Sequence, residues 1–288
     1  MALNGDNNSN NVDDDIDGDG TGSETVTLQD HPALERIRNF QLAYVRKVVD
    51  TVNDLDNVLF EIINEGGTKA WDWFLVRFVQ DYEKRKPKQH PIGLTGHGGE
   101  DNESMIASPA QWFSLGAREW SDLATNPRVA DGRKVSLLDT DHIWGEGGDY
   151  RWVWKSFLRG DNPIYTDRLA DLTADPRGDI PGAKEVRKAM GHTLTMAHRV
   201  RLANMTPHTE LASTFYCLAE FESEYLIYLP DGGREVTVDL TAPPGTIAVE
   251  WMHPVTGELT LGPSVTGGSL PRFKSPVAGD VVLHLWRQ

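Results

Sequence analysis

Two carboxylate settings in this chain could do chemistry. Asn64-Glu65 follows the apolar run Val58–Ile63 and precedes two glycines, and "LLDTDH" places Asp139, Asp141 and His142 directly after the apolar run Val135–Leu138. Two carboxyls facing one cleft suit glycoside hydrolysis: one protonates the leaving oxygen, and the other attacks the anomeric carbon or activates water. Period-two alternation puts Asp139 and Asp141 on one face if the strand runs through Asp141. An Asp-x-Asp-His metal site and a purely structural loop remain open alternatives on the same residues. "RGD" occurs at Arg159–Asp161 and Arg177–Asp179, but three-residue matches arise by chance.

A third acidic group lies near the N-terminus. In "DDDIDGDGTGSE", Asp13, Asp15, Asp17, Asp19 and Glu24 follow the spacing of an EF-hand calcium loop, with Gly18 at the turn. An EF-hand needs a helix on each side, and the upstream "MALNGDNNSNNV" has no apolar periodicity. The downstream segment from His31 reads as an amphipathic helix with Pro32 in its first turn. The loop is therefore expected to be either a calcium site of another geometry or a solvated acidic loop.

These residues must be positioned by elements legible in the pattern. Helix–strand alternation runs from the first helix through a strand at Val58–Ile63, a helix from about Thr68 to Lys86, and a short strand in "HPIGLTG". A weaker strand candidate lies in "QWFSLG", and the clearest strand is Val135–Leu138. A helix in "DYRWVWKSFLRG", a strand in "NPIYTD" and a long closing helix follow. Polar residues follow the strands: Glu65, His97, Asp139 and Asp167. In a (β/α)8 barrel such positions share the active-site rim. About five candidate strands fall short of eight, so the chain is expected to hold roughly strands 4–8 of a TIM barrel, as the C-terminal part of a longer enzyme. From about Thr206, short alternating runs separated by Gly and Pro turns predict an antiparallel β-sandwich. The expected fold is α/β plus all-β, divided at 1–205 and 206–288.

Composition narrows the function. A net charge of −15 over 288 residues argues against a nucleic-acid partner. No apolar run reaches membrane-spanning length, and no signal-peptide pattern is read at the N-terminus. The one cysteine, Cys217, allows no intrachain disulfide. Seven of the nine tryptophans lie between Trp71 and Trp154, a density that suits ring stacking on sugars as well as a core.

Taken together, "DGDGTGSET", "AYVRKVVDTVNDLDNVLFEIINE", "KPKQHPIGLTG", "LLDTDHIWGEGGDYRWVWKSFLRGDNPIYTD" and "NMTPHTELASTFYCLA" resemble the apiosidase-like glycoside hydrolase family. The tail from Glu224 resembles the collagen-binding-like domain that often follows it. The resemblance implies a barrel with Asn-Glu after strand four, so that Glu65 matches the acid/base and Asn64 the partner of the sugar 2-hydroxyl. It places the nucleophile at "LLDTDH", where Asp139 and Asp141 stand in place of the usual Glu, with Glu146 a third candidate. His97, His142, Trp144, Glu146 and Asp167 become candidate substrate contacts. The acidic loop matches the loop after strand three, with Asp13, Asp15, Asp17, Asp19 and Glu24 as calcium ligands. No cofactor is required beyond that candidate calcium ion. The implied partner is a polysaccharide or oligosaccharide substrate, and the implied location is secreted or periplasmic. The contrasting reading is a non-catalytic carbohydrate- or matrix-binding protein with a calcium-stabilised loop.

Overall fold

A computed structural model describes residues 3–10, 12–64, 67–96, 101–116, 121–168, 174 and 176–288. The chain divides into two compact units, Met1–Glu119 and Trp120–Gln288.

In the first unit, helix α1 (Pro32–Val52) starts where sequence signals put it. His31 caps it by accepting the Ala33 N–H on its side chain, and Pro32 occupies the first turn. Its buried face, Leu34 and Ile37, packs with Val12, and Leu3 and Ile16 lie against the same cluster, which anchors the acidic segment. Helix α2 (Lys69–Glu83) is capped by Thr68 and buries Trp71, Leu75, Val76 and Val79. Its end is fastened by a buried polar knot. Glu83 accepts the His90 backbone N–H at 2.7 Å, and its carboxylate meets His90 Nδ1 at 2.7 Å and Asn53 Nδ2 at 3.2 Å. The Glu83 hydrogen bond holds the His90 imidazole above its usual pKa, against the effect of burial.

Strands β1 (Phe60–Glu61), β2 (Ile92–Thr95) and β3 (Trp112–Ser114) pair in parallel, with Phe60 opposite Ile92 and Gly93 opposite Trp112. Gly93 is required by this register, because a Cβ there would stand 1.9 Å from the Trp112 ring. The expectation of a buried strand over Val58–Ile63 needs correction. Only Phe60 and Glu61 form strand, and Leu59 is 58% exposed. Among the described residues β1 pairs with β2 alone, so one edge is uncovered.

In the second unit, β4 (Val135–Asp139) and β5 (Asp161–Ile164) are parallel, with Ser136 opposite Asp161 and Asp139 opposite Ile164. A short helix α4 (Asp141–Trp144), helix α5 (Tyr150–Leu158) and the long α6 (Ala183–Arg199) accompany them. Asp149 caps α5 by accepting the Arg151 N–H. Antiparallel strands follow: β6 (Thr206–Pro207), β7 (Cys217–Glu220), β8 (Glu224–Leu229), β9 (Glu235–Thr237), β10 (Thr246–Met252), β11 (Leu259–Thr266), β12 (Arg272–Lys274) and β13 (Val281–Arg287). They form a sheet of order β11-β10-β13-β8-β7-β6 and a separate pair, β12-β9. The core between them is built from residues such as Ile227, Leu229, Val236, Val249, Trp251, Phe273 and Leu283. Parallel strands with helices, and separate antiparallel sheets, fit a partial α/β barrel followed by a β-sandwich.

Helix α5 and the antiparallel sheet of this unit are joined by buried polar bonds. Trp154 Nε1 donates to Pro254 O at 3.0 Å. Asp280, 5% exposed, accepts from the Tyr150 hydroxyl at 2.9 Å, the Tyr228 hydroxyl at 3.0 Å and the Gly232 N–H at 2.8 Å, and pairs with Arg151 at 2.8 Å.

Asp161 opens β5 and is only 3% exposed, with Oδ2 left without a hydrogen-bond partner. Burial pushes its carboxyl from the ordinary 3.8 up to about 8, although the Ser136 hydrogen bond and the positive charge of Arg128 and Arg159 pull it down. A raised folded-state pKa means that the native chain holds a proton that the unfolded chain has released. Stability is then fullest below about pH 4 and declines as pH rises toward about 8. Asp161→Asn should remove this slope: its stability relative to the parent should improve steadily from acid to alkaline pH in urea melts. A difference independent of pH would contradict the buried acid.

Candidate active site

The C-terminal ends of β4 and β5 bring several of the candidate residues together. Strand β4 ends at Asp139, and Thr140 turns the chain with helical angles of φ −65° and ψ −22°. Asp141 therefore opens a helical turn instead of continuing the strand, which corrects the expectation that Asp139 and Asp141 share a strand face. The exposed Asp141 carboxylate makes no hydrogen bond or ion pair among the described residues.

Asp139 is held from two sides. Its Oδ1 accepts the Thr166 hydroxyl at 3.0 Å and the Asp141 N–H at 2.9 Å. The strand ends are laced by further bonds: Thr140 N–H to Ile164 O at 3.1 Å, Thr166 N–H to the Thr140 hydroxyl at 2.8 Å, and Gly147 N–H to Thr166 O at 3.1 Å. Thr140 is fully buried, so this lacing is shielded from water. Asp139 is half-buried, and its Oδ2 has no partner among the described residues. One oxygen is thus oriented while the other is left to meet an electrophile or a water molecule.

The remaining candidates have other surroundings. Glu146 is clamped by two arginines: Arg168 reaches it through Nε at 3.0 Å and Nη2 at 2.6 Å, and Arg177 through Nη1 and Nη2, each at 3.1 Å. The Arg168 hydrogen bond holds its carboxyl below the usual range, with Arg177 adding to the effect. A carboxylate so engaged is a poor nucleophile. Asp167 pairs with Arg187, whose other nitrogen meets Asp179 at 2.8 Å. Burial raises the neighbouring Tyr165 phenol, and the Asp167 charge adds to the rise. His142 is 7% exposed on α4. Trp144 is 40% exposed and lies edge-on to the buried Trp152 at 5.4 Å. Trp152 is itself fixed by its bond to Leu123 O. The exposed indole is a rigid apolar plate on this rim.

In the first unit Asn64 is exposed beyond β1, whereas Glu65 and His97 lie outside the described residues. In the acidic segment, Asp15, Asp17 and Asp19 each bring one carboxylate oxygen within 4.8 Å of the others. All five carboxylates accept N–H bonds in or beside the segment, Asp15 from Gly20, Asp17 from Asp19 and Asp19 from Thr21. Asp13 Oδ1 accepts from the N–H groups of Gly5 and Asp15, and Glu24 Oε1 accepts from those of Ile16 and Asp17. A 3₁₀ turn, Gly5–Asn7, stands before the segment where an EF-hand has its incoming helix.

Sequence reasoning missed Thr166, Arg168, Arg177 and Arg187. Thr166 sits in "YTDR" two residues after β5, and its role shows only once β5 is paired with β4.

The fold is similar to solved structures. One, a glycoside hydrolase, has a TM-score of 0.63 at 13% identity, covering 87% of this chain and 69% of its own. Another, a glycoside hydrolase family 5 protein from Bacteroides vulgatus, has a TM-score of 0.63 at 12% identity, covering 88% and 68%. At such identities the likeness concerns fold alone. No family model and no curated protein matches the chain.

Thr166→Val keeps the shape of the side chain and removes its hydroxyl. It should cost about 1–2 kcal/mol in urea unfolding, because Asp139 loses one of two donors at a partly buried site. An unchanged midpoint would mean that this hydrogen bond is not made in solution.

Proposed function

We propose that this chain is a glycoside hydrolase acting on side chains of a plant or microbial polysaccharide, in the manner of the apiosidase-like family. The observation that carries the reading is Asp139: a carboxylate at a parallel strand's C-terminal end, oriented through one oxygen and open at the other. The glycoside hydrolases that share the fold support it. Glu65 is assigned as general acid. It gives its proton to the glycosidic oxygen as the bond from that oxygen to the anomeric carbon breaks. Asp139 stabilises the positive charge that develops on the sugar, by attacking the carbon itself or by taking a proton from an attacking water. The anomer of the first-formed product distinguishes these two courses. Asp141, exposed and outside the strand, is not assigned a covalent role, and Glu146 is assigned to hold the arginines of the rim. Trp144 supplies a stacking platform for a sugar ring, and Asn64 binds the 2-hydroxyl. The resemblance to the apiosidase-like family supports a secreted or periplasmic setting.

The test is hydrolysis of pectic and arabinogalactan-type glycans by the parent and by Glu65→Gln. The variant keeps the side-chain shape and lacks the titrating acid. It should lose about 10²–10⁴-fold in rate on substrates with poor leaving groups. Full activity of Glu65→Gln, with its fold verified by circular dichroism, would overturn the assignment.

We also propose that the acidic segment holds a calcium ion through Asp15, Asp17 and Asp19, whose clustered oxygens suit a hard cation. Calcium bound to the folded state should raise the melting temperature, and chelator should reverse the rise. No calorimetric heat and an unchanged melting temperature would leave a solvated loop.

A further inference from the structure

Arginines converge at the opposite end of β5 from Asp139. Among the described residues neither Arg128 nor Arg159 makes a hydrogen bond or ion pair with a carboxylate, although both charges act on the buried Asp161. A cleft of about 540 Å³ opens there, lined by Asp122, Asn126, Arg128 and Arg159 among others. Arg159 closes α5 and is only 8% exposed. Its Nη1 donates to Asn126 Oδ1 at 2.6 Å and to Pro127 O, both uncharged acceptors. Its Nε is buried without a partner, and its guanidinium lies 4.5 Å from the centre of the Tyr216 ring. Arg128 is half-buried and makes no hydrogen bond or ion pair among the described residues. Lys155 adds a third positive charge: its Nζ reaches Thr125 O at 3.3 Å and the same Tyr216 ring at 5.6 Å.

One buried carboxyl, Asp161, lies within electrostatic reach of both arginines. Burial raises the Asp161 carboxyl to about 8, which disfavours its negative charge beside these arginines. Asp122 is exposed and lines the same cleft, so an anion is repelled from that side and drawn toward the arginines. A buried guanidinium bonded only to neutral oxygens is costly unless a counter-charge approaches it, and the cleft leaves room for one.

We propose that this cleft binds a small oxyanion, the carboxylate of an acidic sugar or a phosphate group, between Arg128 and Arg159. The site is separate from the rim that carries Asp139 and does not depend on the glycosidase reading. A uronate bound here would tether an acidic glycan at a point remote from bond cleavage, whereas a phosphate would act as a small-molecule ligand.

Calorimetry on the full chain, at fixed ionic strength with chloride as background, tests this with inorganic phosphate, galacturonate and uncharged galactose. Phosphate or galacturonate should bind, and galactose should not; which of the two anions binds identifies the source of the oxyanion. Arg128→Gln, at a half-buried position with no hydrogen bond or ion pair among the described residues, should weaken binding by about tenfold or more, while Arg159→Lys retains a charge and weakens it less. Absence of heat with both anions would overturn the proposal. So would equal affinity of the parent and Arg128→Gln, since that anion would be sitting elsewhere.

Discussion

The parallel pairing of β4 with β5 is the constraint on which the candidate site depends. Asp139 lies opposite Ile164, so Thr166, two residues further along, arrives beside the carboxylate. A slip of one residue in this register would turn Asp139 toward the buried side now held by Leu138 and present an apolar side chain to the rim. The register is fixed at the strand ends by the buried Thr140, which donates its N–H to Ile164 and accepts the Thr166 N–H on its hydroxyl. A hydroxyl residue at 140 serves where an apolar one of the same size would leave the Thr166 amide unbonded.

The strand pair is supported by a helix with a wide buried apolar face. Trp152, Val153, Trp154, Phe157 and Leu158 of α5 are all buried, the pattern of a helix enclosed by other elements. Part of its surface meets the antiparallel sheet, through Trp154 against Tyr228 and through the Asp280 group. Burying Asp280 is tolerable because two hydroxyls, an amide and a guanidinium surround it. The tyrosines register the same environment: burial raises both Tyr150, to about 12, and Tyr228.

Periodicity made much of this readable from the residues alone. Strand β4, helices α1, α2, α5 and α6, and strands β8, β10 and β13 follow apolar patterns long enough to be distinctive. The failures have physical causes. Strand β1 is shorter than its apolar run, because pairing on one edge alone does not hold Leu59 in a sheet. The alternation in "IAVEWM" and "VVLHLW" implies a solvated polar face, yet Glu250 and His284 are 6% and 5% exposed. Arg199 of α6 covers that face by pairing with Glu250 at 2.6 Å, a contact 51 residues distant in sequence. Glu146 read as an open carboxylate for the same reason, since its clamps Arg168 and Arg177 come 22 and 31 residues later. The RGD at Arg159–Asp161 is buried at both charged residues, which removes it as an adhesion motif. Asp141 fell on the wrong element because Thr140 adopts helical angles, which apolar periodicity does not encode.

The central claim is that Asp139, and not Asp141, is the second carboxylate of a hydrolase. The most direct measurement is the turnover of Asp139→Asn against that of Asp141→Asn on one glycan substrate, with both variants shown to be folded. Asp139→Asn should lose activity by at least about a thousandfold, the scale of removing a reacting group. Asp141→Asn should stay within about tenfold of the parent, a change of about 1.4 kcal/mol in barrel-rim interactions at most. Comparable losses in the two variants, or an active Asp139→Asn, would contradict the account.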